Sequence, residues 1–410
     1  MNDSKKIDIA SLGEDFFRFV SENSLSDPSR LILQGGRDGF PLDFAVTQIE
    51  CRRRCGGKFA GMDIPDRFLF ADRHVSEMAS RFEVARYNAS VAGGPSCFAD
   101  ITAGTGMDFM AIASVSGEGI AVECDSLRAD VLRHNLALYA DVAKKARVIC
   151  GDSVSWLEKL PEPLPLIYVD PARRDGVGRR VYGFRDSQPD IITLLPLLRS
   201  KAFRILVKGS PMIDIREALG ELSYTECVHV VAYNGECKQI LFDVAGGDSS
   251  PTENPKIVCV DLRRNGSSSF TIRLADVDNL ARCRYVEHDS DVARGGYLCI
   301  PDATVMKTGC HSVVCDMFPG IRKLSANTHI YLSDTPLTGF PGRVVEIISL
   351  PGKSDLKAMR GDRINVISRN HPCKADELAA RYRLIPGGER WLVACSARRN
   401  MLVECVDIYK

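Results

Sequence analysis

The chain has 410 residues, 45% hydrophobic and 26% charged, a balance that excludes wholesale disorder in a length suited to two or three domains. Its 53 Lys+Arg offset 53 Asp+Glu, so a uniformly basic nucleic-acid binder is excluded while a local basic surface is not. The apolar runs are strand-sized, short of the roughly 20 residues of a membrane helix, and residues 1–22 mix acids with apolar side chains where a secretory signal needs an unbroken apolar core. Fifteen scattered cysteines include no CxxC pair, which predicts a reducing, cytoplasmic setting without a disulfide framework.

Residues 1–92 read as helix. Phe16, Phe17 and Val20 share one face, and Val75, Met78, Ala79, Phe82 and Ala85 form an amphipathic stripe after the candidate cap Asp72, predicting one helix through residue 89. Gly93-Gly94-Pro95 breaks that rhythm. Short apolar runs at 97–101, 119–123, 147–150, 166–169 and 203–208 then alternate with helical patterns, which argues a parallel sheet with crossover helices. Runs at 227–233 and 237–245 flank Asn234-Gly235, a hairpin signal that predicts an antiparallel finish. A second hairpin is expected around Asn265-Gly266, and Pro341-Gly342 marks a candidate boundary. The last segment reads as strand 363–368, helix 376–382 and strands 391–397 and 402–409.

The chemistry concentrates in the alternating region. Phe98-Ala99-Asp100-Ile101-Thr102-Ala103-Gly104-Thr105-Gly106-Met107-Asp108 takes an apolar strand into an acid, a glycine pair and a helix start, where backbone can approach a ligand closely. Glu123 ends the second strand, placed to accept from ribose hydroxyls. Asp152 follows the third strand, where an acid can bind an adenine amine, and Asp170-Pro171-Ala172-Arg173 follows the fourth. A nicotinamide or flavin fingerprint lacks its third glycine here, and no GxxxxGK[ST] loop occurs.

This ordered set resembles the class I S-adenosylmethionine-dependent methyltransferases over about residues 97–245. Asp170-Pro171-Ala172-Arg173-Arg174, Lys208-Gly209-Ser210-Pro211-Met212-Ile213-Asp214 and Glu236-Cys237-Lys238 are similar to variant motifs of a bacterial methyltransferase family with a THUMP-like C-terminal domain. The likeness continues in Tyr297-Leu298-Cys299-Ile300-Pro301-Asp302-Ala303, similar to that family's ferredoxin-like module, and in Arg369-Asn370-His371-Pro372 and Pro386-Gly387-Gly388, similar to its THUMP-like pattern. The resemblance implies an α/β chain: a Rossmann-like seven-stranded class I methyltransferase sheet, with an N-terminal helical region and C-terminal α+β modules. The segments would be 1–92 (helical), 93–275 (methyltransferase), 276–343 (ferredoxin-like) and 344–410 (THUMP-like).

It also implies S-adenosyl-L-methionine as cofactor, held by Asp100, Thr102, Gly104, Gly106, Asp108, Glu123, Cys124, Asp152, Ser153 and Asp170, with methylation of a base in structured RNA, tRNA or rRNA. In amine-methylating relatives an Asp/Asn-Pro-Pro-aromatic loop accepts the target N–H and stacks on the flipped base. Here Asp170, Pro171 and Arg173 hold the catalytic positions and Ala172-Arg173 replaces Pro-aromatic, so a stacking ring has to come from Tyr182 or Phe184. Arg174, Arg179, Arg180, Tyr182 and Lys208 are the expected substrate contacts, the arginines touching phosphate. Lys208 has a second option, pairing with Asp170 or Asp214.

Residues 341–410 carry 13 Lys+Arg against 8 Asp+Glu, which favours an anionic partner there. Neither Cys51-x3-Cys55 nor Cys310-His311-x3-Cys315 has closed four-ligand spacing, so no metal is expected. Two other classes stay open: a non-catalytic adenosylmethionine- and RNA-binding protein, and a small-molecule methyltransferase.

Overall fold

In the computed structural model of the chain, which describes residues 7–33, 35, 39–172, 183–185, 187–263, 266–277 and 283–409, every expected apolar run of the alternating region is a strand. They are β1 (Cys97–Asp100), β2 (Glu118–Glu123), β3 (Ala146–Cys150), β4 (Leu166–Val169), β5 (Arg204–Gly209), β6 (Thr225–Tyr233), β7 (Glu236–Ala245), β8 (Lys256–Arg263) and β9 (Gly266–Arg273). Contacts divide the chain into two units, Met1–Glu226 with Ile240–Glu253, and Cys227–Gln239 with Asn254–Lys410, where the sequence suggests four segments.

The first unit lays its strands in the order β3-β2-β1-β4-β5-β7. The first five are parallel, and β7 runs antiparallel to β5 with Arg204 opposite Ala245. All four residues of β4 are buried, as a parallel strand covered on both faces requires. Crossover helices supply that cover: Met107–Val115, Ser126–Ala137, Ser153–Glu158, Ile191–Lys201 and Ile215–Glu221. The last four begin on aspartates, Asp125, Asp152, Asp190 and Asp214, each accepting a backbone N–H of its helix's first turn. A carboxylate at that position satisfies an orphan donor and meets the positive end of the helix dipole.

Residues ahead of β1 belong to this same unit. Phe16, Phe44 and Ile49 pack with Leu69 and Val131, so the helices Glu14–Glu22 and Leu42–Cys55 share a core with a crossover helix. Buried Gln48 exchanges hydrogen bonds with the backbone of Phe70, and buried Asn135 does so with Leu69, tying the chain between them to both helices. The helix expected to run through residue 89 is two helices, Arg73–Met78 and Phe82–Ala92. Asp72 caps the first through Val75 N–H, and Ala79 turns to an extended ψ of 146°. The hydrophobic stripe persists across the break, which is why periodicity alone reads one helix.

In the second unit β6 pairs parallel with β8, and β8 antiparallel with β9, two strands beyond the seven expected. Asn234 and Gly235, ahead of β7, both take the left-handed φ of a hairpin turn (50° and 79°). Asn265, half of the other expected Asn-Gly turn, lies outside the described residues.

The unit also holds an eight-stranded sheet, from β10 (Arg284–Tyr285), β11 (Tyr297–Pro301), β12 (Arg322–Lys323), β13 (Tyr331–Ser333), β14 (Gly342–Ser349), β15 (Arg363–Arg369), β16 (Ile385–Ser396) and β17 (Asn400–Asp407). Its order is β10-β12-β13-β11-β14-β17-β16-β15. Leu298, Ile300, Val345, Ile347, Val393, Cys395, Val403 and Cys405 alternate onto one buried face, the period of two that a strand imposes. The segments 276–343 and 344–410 share this sheet: β11 pairs along five residues with β14, which starts immediately after the candidate boundary at Pro341, while Leu356, Met359, Ile364, Leu384 and Leu392 form a cluster within the later segment.

Candidate functional site

In a parallel sheet the side chains just past the carboxyl ends of the strands face a crevice that no crossover fills. Here Asp100 ends β1, Glu123 ends β2, Asp170 follows β4, and Lys208 lies near the end of β5. Because Asp100 is registered with Tyr168, and Val169 with Val207, Asp170 and Lys208 come side by side one step beyond their strands' last common pair.

The turn after β1 takes its shape from two glycines. Gly104 and Gly106 have φ of +52° and +80°, and a Cβ on Gly106 would lie 2.3 Å from Leu132 Cδ1. Any side chain there meets both a steric and a conformational barrier. Glu123 braces the turn: its Oε2 accepts the Gly104 N–H at 2.9 Å, its Oε1 accepts the Asp125 N–H at 2.9 Å, and Cys124 Sγ donates to Oε1 at 3.5 Å. Burial raises the Cys124 thiol, with the Glu123 charge adding to it.

Asp100 is 2% exposed, and its Oδ1 accepts the Thr102 N–H at 2.9 Å and the Thr102 hydroxyl at 3.3 Å. Burial pushes its carboxyl up to about 8, against the Thr102 hydrogen bonds and with the charges of Asp108 and Asp170. Thr102 Oγ1 also accepts the Asp170 N–H at 2.7 Å, so one hydroxyl joins the glycine turn to the fourth-strand motif.

Behind these lies a charge cluster of which the sequence reading held only one contact, the optional pair of Lys208 with Asp170. Lys208 Nζ donates to Asp170 Oδ2 (2.6 Å), Ser80 Oγ (2.8 Å) and Asp108 Oδ2 (3.1 Å). Asp108 accepts further bonds from Ser80 Oγ (2.7 Å) and Asn88 Nδ2 (2.8 Å). Burial alone would raise the Asp108 carboxyl; the Lys208 charge and the bonds from Ser80, Asn88 and Lys208 outweigh it and hold the carboxyl below its ordinary range. Asp108, expected among donor contacts, thus faces Lys208, Ser80 and Asn88. Lys208 pairs with Asp170 rather than Asp214, which caps its own helix. Ser80 sits at the break between the two helices ahead of β1, and Asn88 is a fully buried polar residue on the second of them. Lying 28 and 20 residues before Asp108, they carry no motif that sequence could have flagged.

Asp152 is exposed, and its Oδ1 accepts the Ser155 N–H at 2.8 Å. That bond, first among its causes, lowers the Asp152 carboxyl. Ser153 opens the helix that Asp152 caps. Pro171 is buried, and Ala172 is bridged to Gln188 by two backbone hydrogen bonds. Phe184 is 2% exposed and meets Phe242 edge to face at 5.4 Å, so its ring is committed to the core and not offered to a base. Arg173, Arg174, Arg179, Arg180 and Tyr182 lie outside the described residues.

Two carboxylates, Asp108 and Asp170, against one ammonium leave the crevice with an excess of negative charge, and the glycine turn brings bare backbone to the end of β1. Both features fit the cationic, amino-acid-bearing S-adenosylmethionine. A crystal structure of a protein from Porphyromonas gingivalis W83, designated a methyltransferase, aligns with 96% of this chain and 98% of its own at 27% identity, with a TM-score of 0.81. This is a class I methyltransferase fold. Two uncharacterized S-adenosylmethionine-dependent methyltransferases of Mycobacterium tuberculosis, from strains CDC 1551 and H37Rv, are each 28% identical to the methyltransferase-fold chain over 219 residues. The match takes in 51% of this chain, which spans about half the length of those relatives (56%). Residues 297–341 match a family profile described as a ferredoxin-like domain. The homologues are thus S-adenosylmethionine-dependent methyltransferases.

Proposed function

We propose that the chain is an S-adenosylmethionine-dependent methyltransferase that modifies a base in structured RNA, with Asp170 as the acceptor-side carboxylate. The observation that carries this reading is Thr102, whose hydroxyl bonds both Asp100 and the Asp170 backbone and so sets the donor turn and the acceptor motif in one register. In-line transfer demands that register, since a misplacement near 1 Å costs on the order of a hundredfold in rate.

The donor supplies a methyl group on a sulfonium, a leaving group already built. Asp100 would accept from its ammonium, the Gly104–Gly106 turn would admit its tail, and Glu123 would accept from the ribose hydroxyls. Asp152 would use the oxygen its helix cap leaves over to hold the adenine amine. Asp170 would accept an N–H of the target amine, turning the nitrogen lone pair toward the methyl group and taking up charge as the nitrogen becomes cationic. Support for RNA comes from the basic excess of residues 341–410, the arginine-rich stretch 173–185 and the resemblance of the C-terminal segment to a THUMP-like domain.

Calorimetry with S-adenosylhomocysteine should give one site, weakened on the order of tenfold to a hundredfold by Glu123→Ala, the range for losing a charged hydrogen-bond acceptor. Preference for NAD would end the reading. Mass spectrometry of RNA nucleosides from a deletion strain, compared with its parent, identifies the base. A second reading, a non-catalytic donor- and RNA-binding protein, is favoured by the burial of Phe184, which withdraws one of the two rings available for stacking. It gains if the donor binds and no nucleoside changes.

A further inference from the structure

We infer that Lys208 and Asp108 form a buried positioning pair for Asp170, rather than a contact for substrate phosphate. The inference rests on Asp170 being the acceptor-side carboxylate.

A lysine ammonium has three N–H donors, and Asp170 Oδ2, Ser80 Oγ and Asp108 Oδ2 all lie within 3.1 Å of Lys208 Nζ. The ammonium is thereby used up by the protein itself. Exposure points the same way: the Lys208 side chain is 4% exposed and that of Asp170 is 29%, so an acceptor arriving from solvent meets the carboxylate and not the amine. Asp108, 9% exposed, is in turn held from two sides, by Ser80 on its Oδ2 and Asn88 on its Oδ1. Each member therefore has a fixed neighbour, running from the helix Phe82–Ala92 through the helix Met107–Val115 to β5 and out to Asp170.

The pair does two things to Asp170. It pins one carboxylate oxygen inward, which aims the group, and it supplies a cation that offsets two other acids in the crevice, Asp100 and Asp108. Among the described residues, the titratable groups placed around Asp170 are Lys208, Asp108, Asp100 and the buried Tyr168 hydroxyl, which burial and these same acids raise. Lys208 is the cation of this described set. Removing it leaves acids facing one another in a buried site, the situation in which one carboxylate of a pair takes up a proton at higher pH.

The test uses the full chain carrying carbon-13 at the aspartate carboxyl carbons, with the Asp108 signal assigned by Asp108→Asn. In Lys208→Met the Asp108 carboxyl is expected to move from below its ordinary range to above it, since burial then acts unopposed by the cation; an unmoved signal overturns the pair. In parallel, methyl transfer from labelled donor into bulk tRNA and rRNA is followed against pH. Lys208→Met should lower kcat on the order of a hundredfold with donor KM little changed, and move the acid limb of the kcat profile up by about 2 pH units. The double variant Lys208→Met/Asp108→Asn should bring that limb part of the way back.

A phosphate contact predicts the opposite split, a raised KM for RNA with the acid limb in place, and that result overturns the inference. If Lys208→Met alone does not fold, Asp108→Asn and the double variant make the same comparison, and equal acid limbs overturn it. If the natural chain methylates no RNA while the Asp108 carboxyl shifts as expected, the buried pair stands and the methyltransferase reading falls.

Discussion

Asp100 makes donor binding depend on pH across a range where an ordinary exposed carboxylate, already ionised, would leave it flat. Its carboxyl sits at about 8 in the donor-free chain, so near neutrality it carries a proton. The donor's ammonium needs the ionised form, and binding must expel that proton. At about pH 7, one unit below the midpoint, the expulsion costs about 1.4 kcal/mol, a tenfold loss of affinity; at about pH 6 the loss is a hundredfold. Affinity for S-adenosylhomocysteine, which keeps the amino-acid tail, should therefore climb about fiftyfold between pH 6 and pH 8 and level off above. Titration calorimetry in two buffers of different ionisation enthalpy reads the same event as nearly one proton released per ligand at about pH 6. Asp100→Asn is the control, since it keeps the ligand's own amine in play and removes the carboxyl. A flat affinity across this range in the natural chain, or the same slope in Asp100→Asn, refutes the reasoning.

The same carboxyl has a stability consequence. Its folded value lies above the ordinary 3.8, so its contribution is full below about 3.8 and is lost as pH rises through about 8. Asp100→Asn should consequently gain in melting temperature relative to the natural chain between pH about 5 and 8, while losing donor affinity; a difference that does not change with pH contradicts this. Gly106→Ala, forced to φ near +80° with its Cβ against buried Leu132, should lose about 1–3 kcal/mol of stability and most donor binding. Melting and calorimetry measure both, and an unaffected variant would mean the turn refolds around the methyl. Asp170→Ala should leave donor affinity within a few fold and reduce methyl transfer on the order of a hundredfold. Retained activity would move the acceptor role to another group.

The sheet was legible because parallel strands buried on both faces must be short apolar runs, and the glycine turn because left-handed backbone beside a ligand calls for glycine. Asp152 shows where spacing is ambiguous. An acid after β3 suits adenine, yet Asp125, Asp190 and Asp214 occupy the same place ahead of their helices and act as caps, as Asp152 does. Beyond the pair of Lys208 with Asp170, the Lys208 cluster was illegible for a different reason. Ser80, Asp108 and Asp170 belong to three separate stretches of chain, and only the fold brings them to one amine, with Asn88 behind Asp108. The helix break at Ser80 hid behind an intact hydrophobic stripe, because periodicity reports which residues face the core and not whether the backbone between them is continuous.

The pairing of β11 with β14 bears on how this polypeptide could be cut or rearranged. Residues 297–341, the stretch that matches a ferredoxin-like profile, end one residue before the strand that lies along β11 through all five of its positions. A fragment ending there would leave β11 with β13 on one flank and a bare row of N–H and C=O groups on the other. Such an edge recruits whatever extended chain is at hand, including another copy of itself. Expressed alone, that stretch is expected to aggregate, and extending it past β14 merely transfers the open edge to the flank now taken by β17. Each strand added from the final seventy residues covers the edge left by the one before, β14 by β17, β17 by β16 and β16 by β15, which makes that segment part of its upstream neighbour's sheet rather than an appendage free to be swapped between proteins.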